Sequence, residues 1–241
     1  MFRRCGMFRA MTQASDFTRL AAVQTRVADA LRAAGRPSDA CRLIVVSKTQ
    51  SAERLAPLVQ HQRIELGENY LSEALPKIEA LPKDLVWHYI GSIQSNKTAP
   101  ISEYFDWVHT VDREKIAQRL NDQRPQGKAA LNVLIQVNLD AEASKAGCHP
   151  DQVMALAHTI DALPHLTLRG LMSIPAPNPE DPADPHRRLA QLMEPLRERF
   201  ADCDCLSMGM SGDMDEAIAS GATYVRVGTA IFGPRPPKET P

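Results

Sequence analysis

The chain has 241 residues, 44% of them hydrophobic and 24% charged, with a formal net charge of -1. This is the make-up of an ordinary globular protein, and it argues against a disordered or membrane-spanning chain and against nucleic acid or anionic lipid as a partner. The length suits one large α/β barrel or two small domains, one domain being the simpler expectation.

Residues 1–14 carry Arg3, Arg4 and Arg9 without the continuous apolar run of a signal peptide, so they read as a flexible extension before a domain over 15–241. Helical spacing of Phe17, Leu20, Val23, Val27 and Leu31, stopped by Gly35, predicts a helix over 16–34. The β-branched run at 43–46 reads as a strand, followed by a polar turn and an apolar-periodic helix over 52–59. Further strands are expected at 63–66, 87–90, 107–111, 133–137, 168–172, 206–208 and 224–227, eight in all. Helices between them start near Leu71, Lys97, Arg113, Asp151, His186 and Met214. Repeated strand-helix alternation means a parallel sheet, and eight units in this length predict a closed (β/α)8 TIM-type barrel with an extra N-terminal helix. A doubly wound sheet would carry a Gly-rich turn after its first strand, where this chain has Ser47-Lys48-Thr49. The Pro-rich stretch 175–185 is a long loop after the sixth strand.

Five scattered cysteines do not form a disulfide framework and fit a reducing cytoplasm. Cys203 and Cys205 lack a matching His/Cys cluster, and the seven histidines show no metal-ligand spacing, so no metal site is expected. His88, within the third strand, reads as a satisfied core histidine.

Barrel chemistry collects at the C-terminal ends of the strands. Lys48 follows a fully apolar strand, where partial desolvation favours the neutral, nucleophilic amine. Taken alone it also fits a lysine that caps a strand end and reaches water. Gly209, Gly212 and Gly228, with the hydroxyls of Ser211 and Thr229, follow the seventh and eighth strands, where barrels bind phosphate through backbone N–H groups. The same glycines would equally serve tight turns. Arg226, two positions before Gly228, shares its face and can point inward. Its partner is either a ligand atom, such as a pyridine nitrogen, or a carboxylate of Asp213 or Glu216. A rim lysine opposite a phosphate site describes a phosphorylated aldehyde.

The runs Val46-Ser47-Lys48-Thr49, Gly67-Glu68-Asn69-Tyr70, Trp87-His88-Tyr89-Ile90-Gly91, Gln94-Ser95-Asn96-Lys97, Arg169-Gly170-Leu171-Met172, Leu206-Ser207-Met208-Gly209-Met210-Ser211 and Val225-Arg226-Val227-Gly228-Thr229 together resemble the pyridoxal phosphate homeostasis protein family. That resemblance implies a barrel like the N-terminal domain of alanine racemase, with pyridoxal 5′-phosphate held as a Schiff base on Lys48. It further implies that Ser211, Gly228 and Thr229 hold the phosphate, that Arg226 faces the pyridine nitrogen and that Asn69 lies near the ring. The implied role is binding and delivery of the cofactor in vitamin B6 homeostasis, with cofactor-dependent apo-enzymes as recipients and a monomer as the expected state. The alternative is an amino-acid racemase or related catalyst, which would need Tyr70, His88 or a cysteine as a second base. Lys97, in a family motif near the rim, is expected to be a solvated lysine at a helix end.

Overall fold

A computed structural model describes residues 4–140, 146–176 and 180–234, with side chains from residue 16 onward. Eight parallel strands close into one barrel in chain order. They are β1 (Arg42–Val46), β2 (Glu65–Glu68), β3 (Val86–Tyr89), β4 (Trp107–Val111), β5 (Leu131–Val137), β6 (Leu166–Ser173), β7 (Cys205–Ser207) and β8 (Tyr224–Val227). Closure is made by β8 on β1, with Leu43 paired to Val225 and Val45 to Val227. The helices are α1 (Arg4–Ala33), α2 (Ala52–His61), α3 (Leu71–Ala80), α4 (Thr98–Tyr104), α5 (Glu114–Asp122), α6 (Val153–Asp161), α7 (Asp184–Arg199), α8 (Met214–Ala219) and α9 (Thr229–Phe232). None of the helices among the described residues is long and apolar enough to cross a membrane.

The outward residues of the strands pack with the helices into one large apolar layer, to which Val45, Leu66, Val108, Val133, Leu171, Leu206 and Val225 contribute. Inside the barrel a smaller cluster is formed by Ile44, Trp107, Leu134, Met172, Cys205 and Tyr224. Strands covered on both faces bury both sets of side chains, which explains why runs such as Leu43-Ile44-Val45-Val46 show little polar alternation.

Helix α9 is a single turn and cannot cover the seam between β8 and β1. Helix α1 takes over that cover, packing against α8, α9 and α2 through Leu20, Val23, Val27 and Leu31 at helical spacing. Polar contacts fix its orientation. The buried Asp16 carboxylate accepts hydrogen bonds from Arg54 at 2.7 and 2.8 Å, and Arg54 also donates to the carbonyl of Phe232 at 3.0 Å. Arg36, just past the helix, donates to the carbonyls of Ile218 and Ala222 at 2.6 and 2.8 Å.

The eight strands and the extra helix agree with the reading of the sequence, with shifted edges. Helix α1 starts upstream of residue 16, at Arg4; the first proline of the chain is Pro37, so nothing interrupts it earlier. Strand β2 lies two residues later than 63–66. Gly67 signals a turn in the sequence but belongs to the strand, where a Cβ would sit 2.7 Å from Ile44 Cγ2. It is a glycine of close packing inside the barrel.

Replacing fully buried Leu20 by alanine should lower stability by about 2–5 kcal/mol. Urea unfolding checks this, as a lower midpoint at unchanged slope.

Candidate functional site

Where β1 ends, the backbone turns sharply. Ser47 N–H is still paired with the carbonyl of Gly67 on β2, Gln50 N–H closes a turn onto Ser47, and Thr49 adopts φ 67°, which few non-glycine residues do. Helix α3 holds this turn in place, because Glu73 Oε2 accepts from Thr49 N–H at 2.6 Å. The half-buried Lys48 stands at the apex.

Directly beneath lies a buried polar knot. Ser47 Oγ donates to Glu68 Oε1 at 2.5 Å, and Lys77 Nζ donates both to Glu68 Oε1 at 2.7 Å and to the Ser47 carbonyl at 2.8 Å. Burial pushes the Glu68 carboxyl above its usual range, against the hydrogen bonds from Lys77 and Ser47. This knot fixes the peptide that carries Lys48. Glu68 lies inside a run visible in the sequence, whereas nothing in the sequence singles out Lys77.

Across the mouth, the loop after β7 is shaped by Asp213. Its Oδ1 accepts from Met210 N–H at 2.7 Å and its Oδ2 pairs with His186 Nε2 at 3.1 Å. Burial raises the Asp213 carboxyl, but the hydrogen bonds from His186 and Met210 outweigh it and leave the group below its usual value. Gly209, at φ 89°, leaves no room for a side chain, since a Cβ would lie 2.5 Å from Ala217 Cβ. Arg26 of α1 ties the loop down from outside by donating to the Ser211 carbonyl at 2.8 Å while paired with Asp215 at 2.9 Å. At Gly228, the residue before α9, a Cβ would approach the Val46 carbonyl to 3.0 Å.

Arg226 forms the floor. It is 5% exposed and donates to Ser207 Oγ and to the Ser173 carbonyl, both at 2.8 Å. Burial lowers its pKa to about 10, so the guanidinium stays charged near neutrality. Among the described residues it forms no ion pair with Asp213 or Glu216. Its hydrogen bonds are to neutral oxygens.

Lys48, Asn69, Ser211, Arg226, Gly228 and Thr229, all six residues singled out from the sequence, line one cavity of about 190 Å³ together with Val46, Ile90, Ile174 and Phe232. Two buried oxygens near it, Asn69 Oδ1 and Ser173 Oγ, have no hydrogen-bond partner in the protein, which is unusual in a folded interior. Lys97 is not in this cavity. It lines a neighbouring cleft of about 420 Å³ with Tyr70, Tyr89 and Gln94, which also reaches Asn69.

The family described as alanine racemase, N-terminal domain, matches residues 18–236. The pyridoxal phosphate homeostasis protein of Pseudomonas aeruginosa is 51% identical over 217 residues, covering 90% of this chain and 94% of its own. This chain belongs to the pyridoxal phosphate homeostasis protein family. A solved structure, PipY of Synechococcus elongatus with PLP bound, aligns at TM-score 0.73 and 32% identity over 86% of this chain and 100% of its own. An alanine racemase of Clostridium difficile shares the fold at TM-score 0.65 and 12% identity, and this chain spans 58% of its length.

The cavity of this family member fits pyridoxal phosphate on its own chemistry. It offers an amine, a fixed cation, the hydroxyls of Ser211 and Thr229, and a small-residue wall at Gly228, with the unpartnered Asn69 Oδ1 behind its lining.

Lys77→Met should cost about 3–5 kcal/mol, because it leaves a buried carboxylate unpaired. Glu68→Gln should cost clearly less, since a neutral amide needs no counter-ion. Thermal and urea unfolding of the two variants without cofactor gives the comparison.

Proposed function

We propose that this chain binds pyridoxal 5′-phosphate covalently through Lys48 and serves as a carrier in intracellular vitamin B6 homeostasis, passing the cofactor to apo-enzymes, with little turnover of amino acids. The observation that carries this reading is the convergence of six residues from β8 and the ends of β1, β2, β7 and β8 on a single cavity. Pyridoxal phosphate, when bound, supplies an aldehyde that condenses with an amine to a Schiff base.

The protein's part is position and electrostatics. Lys48 is presented on a turn that Glu73, Glu68 and Lys77 hold rigid from below. Opposite it, the Ser211 and Thr229 hydroxyls are donors suited to a phosphate dianion. Arg226 is a donor that keeps its proton, so it can meet a pyridine nitrogen only as an unprotonated acceptor. That arrangement weakens the ring as an electron sink and favours storage over carbanion chemistry.

The residues around the cavity favour the same choice. Among the described residues that line it there is no carboxylate, imidazole, thiol or phenol, which leaves the Lys48 amine as the one strong base. Tyr70 is 57% exposed in the neighbouring cleft, and His88 is fully buried and bonded to Glu65 and His109. The four described cysteines are buried thiols whose pKa values burial raises to between about 11 and 12. Among the described residues, two-base racemisation therefore lacks its second base.

Purified protein loaded with the cofactor should be yellow, and borohydride reduction followed by peptide mass spectrometry should place the pyridoxyl group on Lys48. Lys48→Ala should abolish both signals, and an adduct on any other residue overturns the assignment. Ser211→Ala should raise the Kd for the cofactor about tenfold, the value of one hydrogen bond to a charged group. Exchange of the α-proton of alanine in D2O at rates typical of an enzyme would instead favour the racemase reading.

A further inference from the structure

The interior of the barrel holds a row of hydrogen bonds that no part of the cofactor cavity requires for its shape. Arg226 Nη1 donates to Ser207 Oγ at 2.8 Å, Ser207 Oγ lies 2.8 Å from His109 Nδ1, His109 Nε2 lies 2.9 Å from His88 Nδ1, and His88 Nε2 lies 3.0 Å from Glu65 Oε2. Arg42, at the opposite end of the barrel, closes the row with a bond to Glu65 Oε1 at 3.1 Å. Ser207, His88 and His109 are each completely buried. The row draws one residue from each of six strands, β8, β7, β4, β3, β2 and β1, and runs from the cavity floor to the far mouth.

The chemistry of its two ends decides which way every proton points. A guanidinium only donates and a carboxylate only accepts. Glu65 therefore needs a proton on His88 Nε2. A neutral His88 then has a bare Nδ1, which needs a proton on His109 Nε2. His109 Nδ1 is bare in turn and takes the Ser207 hydroxyl proton, so Ser207 Oγ presents its lone pairs to Arg226. Every bond is satisfied, and the four from Arg226 to Glu65 each donate away from the cofactor cavity. The opposite order would set a bare His88 nitrogen against the Glu65 carboxylate and leave the Ser207 hydroxyl without an acceptor. Desolvation favours neutral rings here: burial lowers the pKa of both, that of His109 strongly, with the charge of Arg226 adding to the effect.

We infer that Glu65, His88, His109 and Ser207 are positioning residues for Arg226, a one-directional donor chain that holds the guanidinium at the cavity floor with its remaining N–H groups turned to the cofactor ring. This rests on the proposed cofactor site, but the chain itself belongs to the protein alone. A hydroxyl that is itself donating is a better acceptor, so the pull of Glu65 is felt at Arg226 although the carboxylate touches no ligand.

The first test needs no cofactor. Protein labelled with 15N-histidine and studied by NMR at pH 7, with resonances assigned through His88→Gln and His109→Gln, should show both rings as neutral Nε2–H tautomers. An Nδ1–H tautomer at either ring, or an imidazolium, overturns the chain even if Lys48 binds the cofactor as proposed. The second test uses loaded protein. Glu65→Gln replaces an acceptor with a group that can also donate, so both tautomers should become populated and the absorption band of the bound cofactor should shift. Ser207→Ala should weaken cofactor binding about tenfold, and Ser207→Thr, which restores a hydroxyl, should recover most of it. If Glu65→Gln and Ser207→Ala melt like the parent and leave both the band and the affinity unchanged, the positioning role is refuted.

Discussion

A charged guanidinium placed inside a closed parallel barrel is costly unless every neighbour helps to solvate it, and Arg226 sits there without a carboxylate in contact. Much of the interior follows from that one charge. Barrel cores are ordinarily filled by layers of branched aliphatic side chains, but here Ser207, His109, His88 and Glu65 occupy inward positions, with the rings of Trp107 and Tyr224 packed around them. Arg42 lies 4.4 Å from the centre of the Tyr224 ring and completes the lower end. The apolar work is transferred outward, to the layer between strands and helices. This leaves the lumen free to be a polar scaffold for a single cation that faces the ligand cavity.

The same device recurs at smaller scale wherever the rim is shaped. Glu68 with Lys77 holds the Lys48 turn, Asp213 with His186 holds the loop after β7, and Asp16 with Arg54 joins α1 to α2 and to the end of α9. In each case a carboxylate that is largely or wholly buried reaches across from one element to the backbone or side chain of another. Replacing such pairs by apolar residues is often neutral for stability, so their value lies in geometry. They hold the Lys48 turn and the loop after β7 in place on either side of the cavity.

What could be read from the sequence divides along physical lines. The barrel is legible because each strand is a short, mostly apolar run closed by polar or glycine residues; five of the six cavity residues are legible because they sit in that punctuation, and Arg226 because it shares the face of Gly228 within β8. The partners that orient them are not. Lys77 meets Glu68 only because α3 folds back over β2, and Ser207 meets His109 only because β4 and β7 face each other across the lumen. His88 reads as a core histidine, and the structure agrees, but the identity of its two partners depends on barrel closure. Glu65 falls inside the expected strand at 63–66, but its pairing with His88 and Arg42 likewise depends on the closed lumen. Pairings set by tertiary geometry leave no local periodicity to detect.

The division between rim and lumen also bears on carrier against catalyst. A catalyst that moves a proton on and off a bound amino acid needs two groups that change protonation at the cavity, on opposite faces of the ring. The titratable side chains that could serve have been drawn into the lumen or outer layers instead: His88 and His109 are locked between a carboxylate and a hydroxyl, and His186 is committed to Asp213. Among the described residues, the cavity lining keeps an amine, hydroxyls and a cation that does not release its proton. Such a set suits the proposed role of holding and masking an aldehyde phosphate better than that of driving it onward.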